Sequence, residues 1–244
     1  MPLLKPIVAT VVLALAYVFG YRLHALQSIH PRRWLSFGAG VSVAYVFVEL
    51  LPELGEYQQR FLAATLRQEM PLVHRHVFLA ALLGFVFYYG LDHLVSRSRA
   101  STPARAEEGH SLLVYRLHVA GFAAYSALIG YVLVRGPDRA LFALALYTLA
   151  MFLHFLGLDH ALDREHPRRY RRRGRWFLSA VTGAGALVGF LTSIPDLFLA
   201  TLMGLIAGGV VVNSMVMELP KEKEGRFWAF CLGAFLYSLI LLLA

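Results

Sequence analysis

The sequence predicts an all-α, polytopic membrane protein with eight transmembrane helices and both termini outside. Hydrophobic residues make up 58% of the 244 residues, and the mean hydropathy is +0.60, whereas a soluble domain is usually nearer half apolar. The apolar residues gather in runs of about 20, the length that crosses a bilayer as a helix. Two of these runs share a pattern, which indicates an internal repeat.

Short links join the predicted spans, and only the links 55–72 and 96–111 exceed a dozen residues or so. The first run is interpreted as a retained span, because no small-residue cleavage site follows it. The predicted spans are 5–23, 34–54, 73–95, 112–135, 138–162, 175–193, 195–217 and 225–244.

The distribution of basic residues predicts the orientation. With the N-terminus outside, 17 of the 23 Lys and Arg residues fall in links on the inner side and six fall outside. Cytoplasmic links carry the excess of positive charge in membrane proteins. We therefore expect a plasma (inner) membrane protein with both termini on the outer face.

Residues 39–53 and 207–221 carry the shared pattern, and we name them the first and second Leu-Pro stretches. Each opens with Ala-Gly and reaches Leu-Pro near its end. Aligning the prolines pairs Gly40 with Gly208, Tyr45 with Asn213 and Leu51 with Leu219. Because the second and seventh spans run in opposite directions, the pattern predicts an inverted repeat, the design of many secondary transporters.

We expect a single transmembrane domain, 1–244, built from three parts. Residues 1–95 and 175–244 form the two three-helix repeats, and 112–162 form a central helix pair.

Several ionisable or polar side chains fall within the predicted spans, where they are costly and mark functional sites by default. The candidate metal ligands are His154, Asp159 and His118. The candidate pathway-lining residues are Glu49, Tyr125, Asn213 and Glu218.

His154 is the leading candidate because it lies well inside the apolar run LAMFLHFLGL. Imidazole and carboxylate ligands suit zinc and similar ions. However, His154 and Asp159 are five residues apart, about 140° around a helix, so a straight helix cannot present both to one ion. Two simpler interpretations remain: His154 hydrogen-bonds a neighbouring helix, and Asp159 belongs to an interfacial set of salt bridges.

The link 163–175 is the most basic part of the chain. It is expected to contact anionic lipid headgroups, since each Lys or Arg near such a surface gains about 1 kcal/mol. The residues concerned are Arg168, Arg169, Arg171, Arg172 and Arg173. Nucleic acid is not an expected partner, and the lack of hydrolase or P-loop motifs argues against an enzyme or an ATP-driven pump.

The chain resembles the ZIP family of divalent-metal transporters. The resemblance covers the eight-span layout, and in sequence it rests on GAGVSVAYVFVELLPE (38–53), LMGLIAGGVVVNSMVMELP (202–220) and the final run 226–243. It implies transport of a divalent cation such as zinc by alternating access, with the metal site on spans four and five. The cation would be the substrate rather than a resident cofactor, and a homodimer is an expected assembly.

The ligand pattern of that family is only partly present. In span four, Ile129-Gly130 matches the end of the family motif, but its ligand positions fall on Gly121, Phe122 and Tyr125. In span five, His154 matches the first ligand. The remaining positions hold Phe155, Gly157 and Leu158. The alternative is therefore a degenerate ZIP-like protein that transports no metal and acts as a membrane partner, sensor or scaffold. An intramembrane enzyme using His154 and Asp159 is a weaker alternative.

Overall fold

The computed structural model describes residues 4–26, 31–64, 75–101, 107–136, 140–215 and 226–243. Within these ranges the chain forms helices and no strand. The helices, in order, are α1 (Leu4–Leu26), α2 (Pro31–Tyr45), α3 (Leu51–Ala64), α4 (His76–Ser101), α5 (Glu107–Arg135), α6 (Leu141–Glu165), α7 (Pro167–Arg169), α8 (Arg175–Leu191), α9 (Asp196–Asn213) and α10 (Phe227–Leu243).

Six helical segments of the described chain are long and apolar enough to cross a membrane. They are 33–59, 76–94, 115–135, 141–164, 170–191 and 196–213. Two shorter apolar helices, 4–20 and 227–243, lie near the ends of the chain. These segments confirm the predicted all-helical fold and are compatible with a polytopic membrane protein, and large apolar side chains cover much of the exposed surface.

A π-helical turn, Val46–Leu50, joins α2 to α3 inside the predicted second span. The backbone N–H of Leu51 donates to the carbonyl of Val46, five residues earlier. Pro52 explains the change of pitch, because it has no N–H to donate and its ring crowds the carbonyl of the preceding turn. In the second Leu-Pro stretch, Ser214 and Met215 are also π-helical, and such turns are frequent at functional sites.

The predicted basic link 163–175 is helical rather than a loop. Pro167 begins the short helix α7, which suits its fixed backbone angle and missing N–H. A second π-turn, Tyr170–Gly174, leads directly into α8. The arginines therefore extend a helix beyond its apolar part instead of lying on an irregular connection.

Three helix pairs pack backbone to backbone: α2 with α10, α4 with α9, and α5 with α8. A Cβ at Gly40 would overlap the Phe230 carbonyl oxygen, and a Cβ at Gly233 would overlap that of Phe37. On each helix, the contacted carbonyl belongs to the residue three positions before that helix's own glycine. Such close approach needs a small residue at each contact.

The α4–α9 pair repeats the same reciprocal contact. Gly208 faces the Ala81 carbonyl oxygen and Gly84 faces that of Leu205, again three residues before the opposing glycine. The α5–α8 pair follows the same rule with Gly130 and Gly185. One packing arrangement therefore holds three pairs of helices together, while α1 packs against α6 and α8.

Candidate functional site

His154 lies at the junction of α5, α6 and α9, fully buried. The Tyr125 hydroxyl is 2.9 Å from its Nε2 atom. The Ser214 hydroxyl, at the C-terminal end of α9, is 3.4 Å from its Nδ1 atom. Since a neutral imidazole has one donor and one acceptor nitrogen, a hydroxyl can satisfy either one. We name Tyr125, His154, Asn213 and Ser214 the histidine centre.

The small residues of the second Leu-Pro stretch make room for this centre. A Cβ at Gly209 would lie 2.8 Å from the Tyr125 ring and 3.0 Å from the Tyr88 ring. The two tyrosine rings meet edge to face, with their centroids 5.2 Å apart. Gly209 therefore allows the Tyr125 hydroxyl to reach His154 from α5.

Asn213 belongs to the centre through its position beside Ser214. Its side chain is 2% exposed, and among the described residues its Nδ2 atom has no hydrogen-bond partner. A buried amide donor without a partner costs free energy unless water or a ligand satisfies it. Of the predicted pathway residues, Tyr125 contacts His154 directly, and Asn213 is buried next to Ser214 in the chain.

A second buried hydroxyl pair lies on the side of α1. The Tyr17 hydroxyl is 2.9 Å from the Ser126 hydroxyl, and the Tyr17 ring stacks on Phe155 with centroids 4.8 Å apart. Sequence reasoning missed Tyr17, because a tyrosine within an apolar span carries no signal that distinguishes a polar contact from simple packing.

Asp159 faces a different part of the protein from His154. Its Oδ1 atom accepts a hydrogen bond of 2.7 Å from the Tyr170 hydroxyl, and a Cβ at Gly20 would overlap its carboxylate. It therefore lies between α6, α1 and the π-turn 170–174. This placement agrees with the 140° separation on the helix, and the structure does not bring the two predicted ligands together.

The arginines of the basic segment differ in their contacts. Arg171 donates two hydrogen bonds to the carboxylate of Asp163, of 2.6 and 2.7 Å. The buried Arg175 places a guanidinium nitrogen 3.6 Å from the same carboxylate. Of the other predicted lipid contacts, Arg169 is half-buried, and the exposed ones are Arg168, Arg172 and Arg173.

His118 is fully buried on α5, about two turns before Tyr125. Its Nδ1 atom lies 3.5 Å from Nε2 of His166, the residue that directly follows α6. The structure thus pairs this predicted ligand with a histidine that sequence reasoning overlooked. The two histidines are 48 residues apart in the chain, and no local sequence pattern predicts their contact.

One of the two predicted acidic pathway residues lies among the described residues. Glu49 lies half-buried in the π-turn 46–50. Glu218 falls outside the described residues. Within the described ranges, no three side chains of His, Cys, Asp or Glu come close enough to hold a metal ion together. The histidine centre is thus a group of neutral polar side chains around one imidazole.

A comparison of the chain with profiles of known protein families finds no match. A search among curated proteins likewise finds no relative.

Proposed function

We propose that the protein is an eight-span transporter of ZIP-like architecture that moves a divalent cation, such as zinc, across the plasma membrane by alternating access. In this proposal the six long apolar helical segments are spans two to seven, and α1 and α10 are the first and last spans. The reciprocal glycine contacts support an inverted repeat. Gly40 and Gly208, which the sequence alignment pairs, make the same contact with α10 and α4 respectively.

The buried imidazole of His154 is the observation that carries the proposal. It lies where the two central helices meet a helix of the second repeat, with hydroxyls facing both ring nitrogens. Buried ionisable groups inside spans are expensive and usually lie on substrate pathways. His154 would bind or relay the cation, and the oxygens of Tyr125, Ser214 and Asn213 would complete its surroundings.

The basic segment fits the same orientation. With both termini outside, Arg168, Arg172 and Arg173 project near the cytoplasmic leaflet, where anionic headgroups attract them. Arg171 contributes less, since its guanidinium is bound to Asp163.

Zinc uptake into liposomes containing the purified protein tests the proposal. We expect a saturable flux that His154→Ala abolishes, because the substitution removes the only imidazole of the centre. His93→Ala is the matched control, since His93 is exposed on α4 and should leave the flux unchanged. Equal flux in the His154→Ala and wild-type proteins would show that the role given to His154 is wrong.

The alternative function is a ZIP-like membrane protein that transports no metal and serves as a partner, sensor or scaffold. It is favoured by the side chains at the family's ligand positions. Phe122, Phe155 and Leu158 are at most 1% exposed and belong to the apolar core. Absence of flux from folded wild-type protein with zinc, manganese and iron(II) would favour this function over transport.

A further inference from the structure

The pairing of His118 with His166 is independent of the histidine centre. His118 lies on α5 and His166 is the cap residue after α6. Their facing ring nitrogens are 3.5 Å apart, and the two ring centroids are 5.7 Å apart with the planes inclined by 80°. Two histidine rings therefore meet nitrogen to nitrogen at the point where the chain leaves α6.

This separation matches the spacing between two ligands of one tetrahedral ion. Zinc–nitrogen bonds are about 2.0–2.1 Å, so two imidazole nitrogens on one tetrahedral zinc lie about 3.4 Å apart. Histidine is also the side chain that zinc, copper, nickel and cobalt share as a preferred ligand. The distance between the two nitrogens is therefore compatible with one shared ion, which would take the place of the proton in the hydrogen bond between the rings.

Both rings are held in place by their surroundings. His118 is fully buried, and its ring lies 4.9 Å from the ring of Phe122 on the next turn of α5. The His166 ring packs edge to face on Tyr115, with centroids 5.1 Å apart. A site whose ligands are fixed by packing binds with a smaller entropy cost than one built on mobile side chains.

The backbone fixes His166 as well. Its N–H donates to the Leu162 carbonyl at 2.9 Å, and its own carbonyl accepts from the Tyr170 N–H at 2.9 Å. His166 thus closes α6 and at the same time anchors the start of the π-turn 170–174. An ion bound here would join α5 to the α6–α8 connection.

The nearby carboxylate of Asp163 is already paired, because it is bound by Arg171 and lies 3.6 Å from Arg175. The same segment carries the exposed Arg168, Arg172 and Arg173, so an ion held here would depend on its two nitrogen ligands and on water. Within the described residues no third His, Cys, Asp or Glu side chain completes a cluster with the two rings. His166 is partly exposed, which lets water fill the remaining coordination positions.

We propose that His118 and His166 form a two-histidine site for a divalent transition-metal ion of the zinc class, with water as the remaining ligands. The site goes beyond the proposed transport function, because it uses neither His154 nor the other residues of the histidine centre. It replaces the predicted grouping of His118 with His154 and Asp159.

Cobalt(II) titration of the purified full-length protein in detergent tests this proposal, since cobalt bound by histidine in a tetrahedral site gives visible d–d absorption. We compare the wild type with His118→Gln, His166→Gln and the double variant. We expect each single variant to weaken binding by about tenfold or more, as even second-shell changes do. We expect the double variant to lose no more than either single variant, because the two residues share one ion.

His93→Gln is the control, since it removes an exposed histidine on α4 and should leave the cobalt spectrum unchanged. His166→Gln keeps the test decisive if His118→Gln fails to fold, because His166 is only partly buried. Wild-type affinity in folded His166→Gln protein would overturn the proposal, as would an unchanged spectrum in His118→Gln. A wild type that binds no cobalt would overturn it too.

The same samples separate this proposal from the transport proposal. His154→Ala should keep the cobalt spectrum even where it abolishes zinc flux. A protein that shows no flux but loses its cobalt absorption in His118→Gln would refute transport and support the two-histidine site.

Discussion

The two Leu-Pro stretches use the same packing but differ in their chemistry. In the first stretch, Gly40 packs on the α10 backbone, and in the second stretch Gly208 packs on the α4 backbone through an equivalent contact. At the aligned polar positions, Tyr45 packs on the Tyr147 ring with centroids 5.5 Å apart, whereas Asn213 is a buried amide and the adjacent Ser214 lies 3.4 Å from His154. The backbone contact restricts the size of the residue at the glycine position only. The side chains later in each stretch are not restricted by it and can differ between the two stretches.

This difference indicates which positions of the stretches are constrained by packing. A Cβ that overlaps a backbone carbonyl forces the helices apart, so glycine is required at both contacts. The position after Tyr45 is Val46, 1% exposed, while the matching Ser214 supplies a hydroxyl to His154. The second stretch therefore supplies a polar side chain to the histidine centre, whereas the first stretch has an apolar side chain at the matching position.

The largest expected effect is that of enlarging the two aligned glycines. Gly40→Val and Gly208→Val should each destabilise the protein by about 1–3 kcal/mol or more, because the added atoms overlap a rigid backbone. The free energy of unfolding in mixed micelles is the measurement. Gly183→Val is the control, since a Cβ at Gly183 meets nothing within 4 Å. A large loss of stability in only one of the two variants would show that the two stretches do not pack in an equivalent way.

A smaller effect is expected from Tyr125→Phe. Removing the hydroxyl takes one hydrogen-bond partner from a ring nitrogen of His154 in a buried site, which costs about 1 kcal/mol. The same unfolding measurement applies, with Tyr89→Phe as the control, because Tyr89 is exposed on α4 and should change stability by less than about 0.5 kcal/mol. Equal stability of the two variants would mean that the Tyr125–His154 contact contributes nothing.

The smallest effect is expected from Ser214→Val, which gives the second stretch the side chain of Val46. The hydroxyl lies 3.4 Å from His154, a long contact, so its loss should cost about 0.5 kcal/mol. Thr201→Val is the control, since its hydroxyl bonds the Leu197 carbonyl of its own helix. A larger loss of stability in Ser214→Val than in Tyr125→Phe would show that Ser214 is the main partner of His154.

Much of the fold follows from local features of the chain. Apolar runs of bilayer length predicted the helical segments, and most boundaries agree to within a few residues. The links were the exceptions: α3 continues to Ala64 inside the predicted link 55–72, and the basic link is helical because Pro167 can begin a helix as well as interrupt one. The pairing of Gly40 with Gly208 also came from local pattern alone, since close helix contact demands small residues at fixed positions.

The sequence by itself determined the membrane class, the helical segments and the position of a buried imidazole within an apolar helix. These three features depend on hydropathy and residue size, and both can be read from one segment of the sequence without knowing its neighbours in space. The tertiary structure decided the partners: His154 meets side chains 29 and 60 residues away, and His118 meets one 48 residues away. Such contacts depend on how helices cross and rotate against each other, and no single segment contains that information.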